Sequence, residues 1–159
     1  MSISIRLCET EDAEFILSLV ARFSEFPLPH WRTAIDLERA NRAALQKALE
    51  QAEDGAAIFV AVEASGQRAG FIHLQTEPDF FTGEKCGYIS EVAVDPTFEG
   101  QGVGSLLLAR AEEWCAVKGY RLLTLYVFAA NTRAQRLYER LGFRPEATKY
   151  VKQVAVPPS

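Results

Sequence analysis

Glu99-Gly100-Gln101-Gly102-Val103-Gly104 runs directly into Ser105 and the apolar stretch Leu106-Leu107-Leu108. Glycine lets successive backbone N–H groups turn toward one point with no Cβ in the way. A helix N-terminus adds unpaired donors and the positive end of its dipole. With the apolar strand Tyr88 to Val94 just upstream, strand, glycine loop and helix make a seat for a phosphate or pyrophosphate. The spacing narrows the ligand. Leu107 stands where a dinucleotide G-x-G-x-x-G motif needs its third glycine, and no Gly-Lys-Ser/Thr follows as a Walker loop requires. Taken alone, the loop is read equally well as a turn joining strand to helix.

Further along, Asn131-Thr132-Arg133-Ala134-Gln135-Arg136-Leu137-Tyr138-Glu139-Arg140-Leu141-Gly142-Phe143 reads as N-x-x-A-x-x-x-Y-x-x-x-G-F. Together the two motifs, in this order and at this distance, resemble the GNAT superfamily of acyl-CoA-dependent N-acetyltransferases. The resemblance covers Tyr88 to about Val154. The N-terminal half matches only in its order of elements. One position departs from the pattern: Glu99 stands where the family usually carries Arg or Gln, so the side-chain contact to pyrophosphate is in question while the backbone contacts are not, and its carboxylate, repelled by phosphate, is expected to point into solvent.

The resemblance implies acetyl-CoA as co-substrate and assigns parts to particular residues. Backbone groups of Val92, Ala93 and Val94 would pair with the pantetheine amides like an added strand. The loop residues Gly100, Gln101, Gly102, Val103, Gly104 and Ser105 would grip the pyrophosphate, and Asn131 would touch the cofactor arm. Strands that splay apart here would admit the pantetheine and free amides for an oxyanion hole. Tyr138 would be the general acid near the thioester sulfur. A thiol has a pKa of ~8.5 and a tyrosine ~10, so proton transfer to thiolate is uphill by roughly 2 kcal/mol unless the site shifts a pKa. Without the family pattern Tyr138 reads as a core tyrosine, Val92 and Val94 as core strand, and Asn131 as a helix cap. Arg133 and Arg136 can reach a phosphate of CoA or simply face solvent.

Glu91, beside Val92, is the candidate base for the amine, directly or through water, and equally a substrate-binding carboxylate. Tyr126 occupies a position where some relatives place an acid. Glu77, Asp79 and Glu84 bracket Phe80-Phe81, a combination suited to a cationic amine. Glu77, Phe80, Phe81 and Glu91 are therefore the candidate substrate contacts, against the plainer reading of a solvated loop with an apolar plug.

Composition sets the outer bounds. The 159 residues are 48% hydrophobic and 24% charged, which fits one globular domain over 1–159. A net charge of −4 gives no electrostatic reason to expect nucleic acid. Cys8, Cys86 and Cys115 show neither zinc spacing nor a disulfide framework, so no metal site and a reducing, cytoplasmic setting are expected. Cysteine catalysis would need a histidine, and His30 and His73 sit in no nucleophile motif. Met-Ser-Ile-Ser-Ile-Arg lacks a signal-peptide core, and the apolar run Leu122 to Ala130 is too short to span a bilayer.

Hydrophobic periodicity supplies the elements that position these residues. Ile3, Ile5 and Leu7 alternate as a strand. Thr10 is placed to cap a helix whose apolar face is Phe15, Ile16, Leu19, Val20 and Phe23. A second helix is predicted from about Ile35 to Glu53. Strands follow at Ala57–Val62, Ala69–Gln75 and Tyr88–Val94, with Glu77 to Cys86 a loop. Then come a helix Gly104–Lys118 closed by Gly119, a buried strand Leu122–Phe128, a helix Thr132–Leu141 and a last strand Lys149–Val154. The expected fold is α/β (α+β), with one mixed, largely antiparallel sheet of about six to seven strands and flanking helices.

The expected function is direct transfer of acetyl from acetyl-CoA to a small-molecule primary amine. A non-catalytic acyl-CoA-binding domain on the same scaffold and an unrelated nucleotide-binding module are the alternatives. Neither nucleic acid nor membrane is expected as a partner. A homodimer is compatible with the sequence, which does not name the oligomer.

Overall fold

The computed structural model describes residues 2–159. Its sheet has five strands in the order β1-β2-β3-β4-β5: β1 (Ile3–Leu7), β2 (Ala57–Glu63), β3 (Arg68–Pro78), β4 (Lys85–Val94) and β5 (Leu123–Leu125). The first four are antiparallel neighbours and β5 runs parallel to β4. Helix α1 (Ala13–Ser18) lies between short 3-10 turns at Thr10–Asp12 and Val20–Ser24. It is followed by α2 (Ala34–Glu50), α3 (Val103–Lys118) and α4 (Thr132–Arg140).

Two apolar layers sandwich the sheet. On one face Ile16, Leu19, Val20 and Leu45, from the α1–α2 side, pack on Val60, Phe71 and Ala93. On the other, Val103, Leu107, Leu108 and Ala111 of α3 pack on Phe59, Ala61, Ile72, Leu74 and Ile89. The alternation along β2 and β3 feeds the two layers in turn, as a period of two requires.

Several sequence expectations are corrected. The sheet has five strands, not six or seven. Lys149–Val154 forms no strand. The expected buried strand Leu122–Phe128 shrinks to β5, and Tyr126 is 86% exposed. Both changes have one cause. β5 bonds only to β4, so nothing on its outer side extends the ladder or covers Tyr126. The loop expected from Glu77 to Cys86 contracts to a hairpin turn, because β3 and β4 continue pairing as far as Pro78↔Lys85.

The first helix is also capped differently from the Thr10 expectation. Glu9 is the cap residue, and the Asp12 carboxylate accepts its backbone N–H at 2.7 Å. Asp12 is fully buried and also accepts from Arg6 at 2.7 and 3.0 Å and from Arg68 at 2.6 Å. This carboxylate ties β1, β3 and the first helix together. Burial by itself would raise the Asp12 pKa, but the hydrogen bonds from Arg6, Arg68 and the Glu9 amide outweigh it and hold the group well below the usual carboxylate range. A depressed folded-state pKa gives stability that is complete above the unfolded value of ~3.9 and is lost as pH falls through the folded one. Asp12→Asn should therefore lower stability at neutral pH by about 2 kcal/mol. That is less than the ~3–5 for breaking a fully buried pair, since Arg6 and Arg68 keep 34% and 33% of their side chains exposed. It should also flatten the loss of stability below pH ~4. Urea unfolding of both proteins across acid pH measures the two effects.

Candidate active site

The site forms where β4 loses its partner. Pairing of β4 with β5 covers Gly87↔Leu123, Tyr88↔Thr124 and Ile89↔Leu125 and then stops. From Ser90 to Val94, β4 is bonded to β3 alone. One edge of Val92, Ala93 and Val94 is thus open to an extended ligand backbone, the geometry of strand addition.

At the start of this opening β4 carries a bulge. Pairing passes from Leu74↔Ile89 to His73↔Glu91, leaving Ser90 as the extra residue. Ile89, Val92 and Val94 all belong to the α3-side core, while Ala93 faces the α1–α2 side. A strict period of two cannot put Ile89 and Val92 on one face, and the bulge resets it. Without it Glu91 would share the face of Ile89, in the apolar layer under α3. With it Glu91 opens instead into a cavity of about 740 Å³ between α2 and the sheet, shared with His73, Gln75, Tyr88 and Ser90.

Inside this cavity His73 Nδ1 and Glu91 Oε2 lie 2.6 Å apart, both groups buried. His73 Nε2 makes no hydrogen bond to the described residues, and no buried side-chain nitrogen or oxygen among them lacks a partner, so Nε2 has access to the cavity. Sequence reading did not single out His73. Its only signal is position: one register pair from Glu91 across an antiparallel ladder, legible only once β3 and β4 are aligned. Ser90 Oγ donates to Gln75 Oε1 at 2.7 Å. Burial, then the nearby Glu77, Glu91 and Tyr126, raise the Tyr88 pKa. Cys8 also lines the cavity, but burial pushes its thiol up to about 11, so it is no thiolate nucleophile at neutral pH.

Glycine loop and α3 form the second part. Gly100 and Gly102 have φ of 77° and 81°, left-handed values that favour glycine. No side chain caps α3, and no backbone carbonyl of the described residues accepts from the N–H groups of Gly100, Gln101, Gly102, Val103, Gly104 or Ser105. Consecutive free amides at a helix N-terminus fit a pyrophosphate. Glu99 is not the solvent-directed carboxylate that repulsion from phosphate suggests. It pairs with Arg133 of α4 and, at 3.4 Å, with Arg22. The hydrogen bond from Arg133 is the main cause of its lowered pKa. The acid at the unusual loop position thereby draws two guanidinium groups to the loop.

Tyr138 is the third part. Asn131 caps α4, its Oδ1 accepting the Ala134 N–H at 3.3 Å. Leu137 and Tyr138 then pack on the α3-side core to which Val92 and Val94 belong, with the Phe143 ring 5.7 Å from that of Tyr138. Burial raises the Tyr138 pKa. Its hydroxyl has no hydrogen-bond partner among the described residues and is free for a ligand.

The candidate substrate loop is only partly gathered in. Glu77 is on β3, on the face of His73 and Gln75 and near Tyr88. Phe80 and Phe81 stand 92% and 81% exposed at the hairpin tip, edge to face, and do not line the cavity. Asp79 is engaged by Thr82, and Glu84 by Arg121 at 2.6 Å. Among the described residues no cluster could hold a metal ion, and no helix is long and apolar enough to cross a membrane.

Comparison with known proteins agrees with this geometry. The family model for the acetyltransferase (GNAT) family matches residues 19–143. YhfO of Bacillus subtilis (strain 168), described as an N-acetyltransferase, is 29% identical over 90% of this chain and 91% of its own. The mycothiol acetyltransferase of Clavibacter sepedonicus is 33% identical over 86% of this chain, which spans only 41% of that protein. Among solved structures, an acetyl transferase of Pyrococcus furiosus superposes with a TM-score of 0.76 at 27% identity, over 96% of this chain and all of that one. AAC(6')-Iy, solved in complex with the bisubstrate analogue CoA-S-monomethyl-acetylneamine, shares the fold with a TM-score of 0.71 at 23% identity, over 98% of this chain and all of that one. The open β4 edge, the free loop amides and the capped helix carrying Tyr138 thus sit in a chain that belongs to the GNAT family and is an N-acetyltransferase.

Proposed function

We propose that this enzyme transfers acetyl from acetyl-CoA to a primary amine by direct attack in a ternary complex. What supports the reading is that Glu91 and His73 open into the α2-side cavity while Tyr138 packs on the α3-side core together with Val92 and Val94, strand residues whose backbone edge is free. Acetyl-CoA supplies a thioester that is already activated for acyl transfer. Val92, Ala93 and Val94 hold its pantetheine amides, Gly100 to Ser105 its pyrophosphate, and Asn131 stands beside the arm.

The amine enters from the cavity. His73, oriented by a hydrogen bond from Nδ1–H to the Glu91 carboxylate, accepts the amine proton at Nε2. The new N–C bond forms as the C–S bond breaks, and a free β4 amide steadies the oxyanion. On the opposite face Tyr138 hydrogen-bonds the departing sulfur and gives up its proton late. Burial raises its pKa, which makes transfer harder and leaves the proton on Tyr138 until the thiolate is fully developed. Glu77, on the His73 face of β3 and near Tyr88, which lines the cavity, suits a second cationic group on a longer acceptor. Phe80 and Phe81 have a part only for an acceptor long enough to reach the hairpin tip.

Tyr138→Phe keeps the ring and removes the proton. It should lower kcat by ~100- to 10,000-fold and leave the Kd for acetyl-CoA nearly unchanged. Single-turnover kinetics and calorimetry separate the two, and unaltered chemistry would return Tyr138 to the core. Glu91→Gln and His73→Gln should each reduce kcat/KM by ~100-fold or more at neutral pH. His73→Gln should also abolish the acid limb of the pH–rate profile, since that limb reports the base. A lowered rate with the limb intact would make the pair structural. Glu99→Gln releases Arg22 and Arg133. It should tighten acetyl-CoA binding about threefold at low salt, an advantage that shrinks as salt screens it. Weaker binding in titrations of the variant would mean that Glu99 is needed to hold the arginines at the loop.

A further inference from the structure

Two tyrosine rings stand together where β4 parts from β5, and the acetyl-transfer chemistry uses neither. Tyr88 is paired with Thr124 in the β4–β5 ladder and lines the α2-side cavity. Tyr126, two residues beyond Thr124, returns to the same face by the period of two. Its ring meets that of Tyr88 edge to face, with centroids 5.9 Å apart. Tyr126 is 86% exposed, so most of its ring is open to a ligand. On β3 the same face carries His73, Gln75 and Glu77, and Gln75 is the register partner of Tyr88. Burial, then the charges of Glu77 and Glu91, raise the Tyr88 pKa, so both carboxylates lie within electrostatic reach of that ring. Glu77 has no salt bridge among the described residues. Of the described residues lining the cavity, Glu9, Glu53 and Glu91 are acidic and Lys47 is the one lysine or arginine. The buried His73 side chain, 4% exposed, presents its unpartnered Nε2 to this space, which calls for a polar ligand atom there.

We propose that Tyr88, Tyr126 and Glu77 form a subsite for a second ammonium group, so that the acceptor is an aliphatic diamine held at one end while the other is acetylated. This rests on the reading of an amine acceptor at His73 given above. An ammonium over an aromatic face is attracted by the ring quadrupole, and a nearby carboxylate adds its charge. The two ends of the acceptor need opposite surroundings. The reacting nitrogen must lose its proton to His73, whereas the held nitrogen keeps its charge between the rings and Glu77. The level of His73 and that of the Gln75–Tyr88 pair are two residues apart on β3, ~7 Å along the strand. An extended chain advances ~1.2 Å per bond, so about five carbons separate the two nitrogens. A monoamine leaves the rings and Glu77 without a partner, and an anion at the far end is repelled by them, so charge at that end sets the selectivity.

Cadaverine, n-pentylamine and δ-aminovalerate place an ammonium, a methyl and a carboxylate at the far end of chains of equal carbon number. Counted per amine, kcat/KM should be about tenfold higher for cadaverine than for pentylamine, and lowest for δ-aminovalerate. Tyr126→Leu and Glu77→Gln, both at exposed positions, should each lower the ratio of cadaverine to pentylamine about threefold. The double variant should bring that ratio near unity with the melting temperature unaltered. Calorimetric titration of cadaverine into enzyme saturated with CoA reads the subsite without turnover. Binding that exceeds that of pentylamine and is weakened by the two substitutions, with no acetyl transfer, would sustain the subsite and defeat only the transfer chemistry. A ratio near unity in the parent enzyme, a preference for δ-aminovalerate, a ratio that survives the double substitution, or cadaverine binding no better than pentylamine would each overturn the subsite, even if pentylamine is acetylated.

Discussion

A backbone hydrogen-bonding group removed from water must find a partner, and the candidate site forms where one edge of β4 leaves that rule open. Along β4, pairing with β5 ends at Ile89 while pairing with β3 continues to Val94. The open edge has the geometry that an extended ligand carrying its own amides would complete. The candidate site residues lie around it in the fold: the glycine loop follows the end of β4, Leu137 and Tyr138 of α4 pack on the α3-side core, and Glu91 opens into the cavity under α2.

The Ser90 bulge adds the second constraint. One extra residue turns Glu91 from the apolar layer under α3 into the cavity, opposite His73. A carboxylate in that apolar layer, without a partner, would be costly to ionise. Placed against an imidazole 2.6 Å away, it has a partner and opens into the cavity. The same shift keeps Val92 and Val94 in the core, so the strand stays anchored while its edge remains available.

Charge around the loop illustrates substitution at the level of the site. Glu99 takes the position where a basic or amide side chain is usual for the family. Arg133 and Arg22, brought from α4 and from the turn after α1, meet it there. Free amides and imported guanidinium groups together keep the loop suited to an anion. The acid alone, read from sequence, suggested a side chain turned to solvent.

The chain's own residues settled much of this locally. Gly100 and Gly102 dictated the loop because left-handed φ values are strained for other residues, and Asn131 dictated the start of α4 because its short side chain reaches the Ala134 amide. The helices and the first four strands followed from periodicity, within a few residues of their observed ends. Tertiary structure alone decided what depends on partners distant in sequence. His73 became a site residue through strand register, Glu91 faced the cavity through a bulge, and Glu99 found Arg133 across two elements. Strand propensity in Lys149–Val154 did not become a strand, because a strand is defined by its neighbour and no described segment bonds to that one. Local sequence fixes φ, ψ and period, whereas pairing and charge neutralisation are properties of which segments meet.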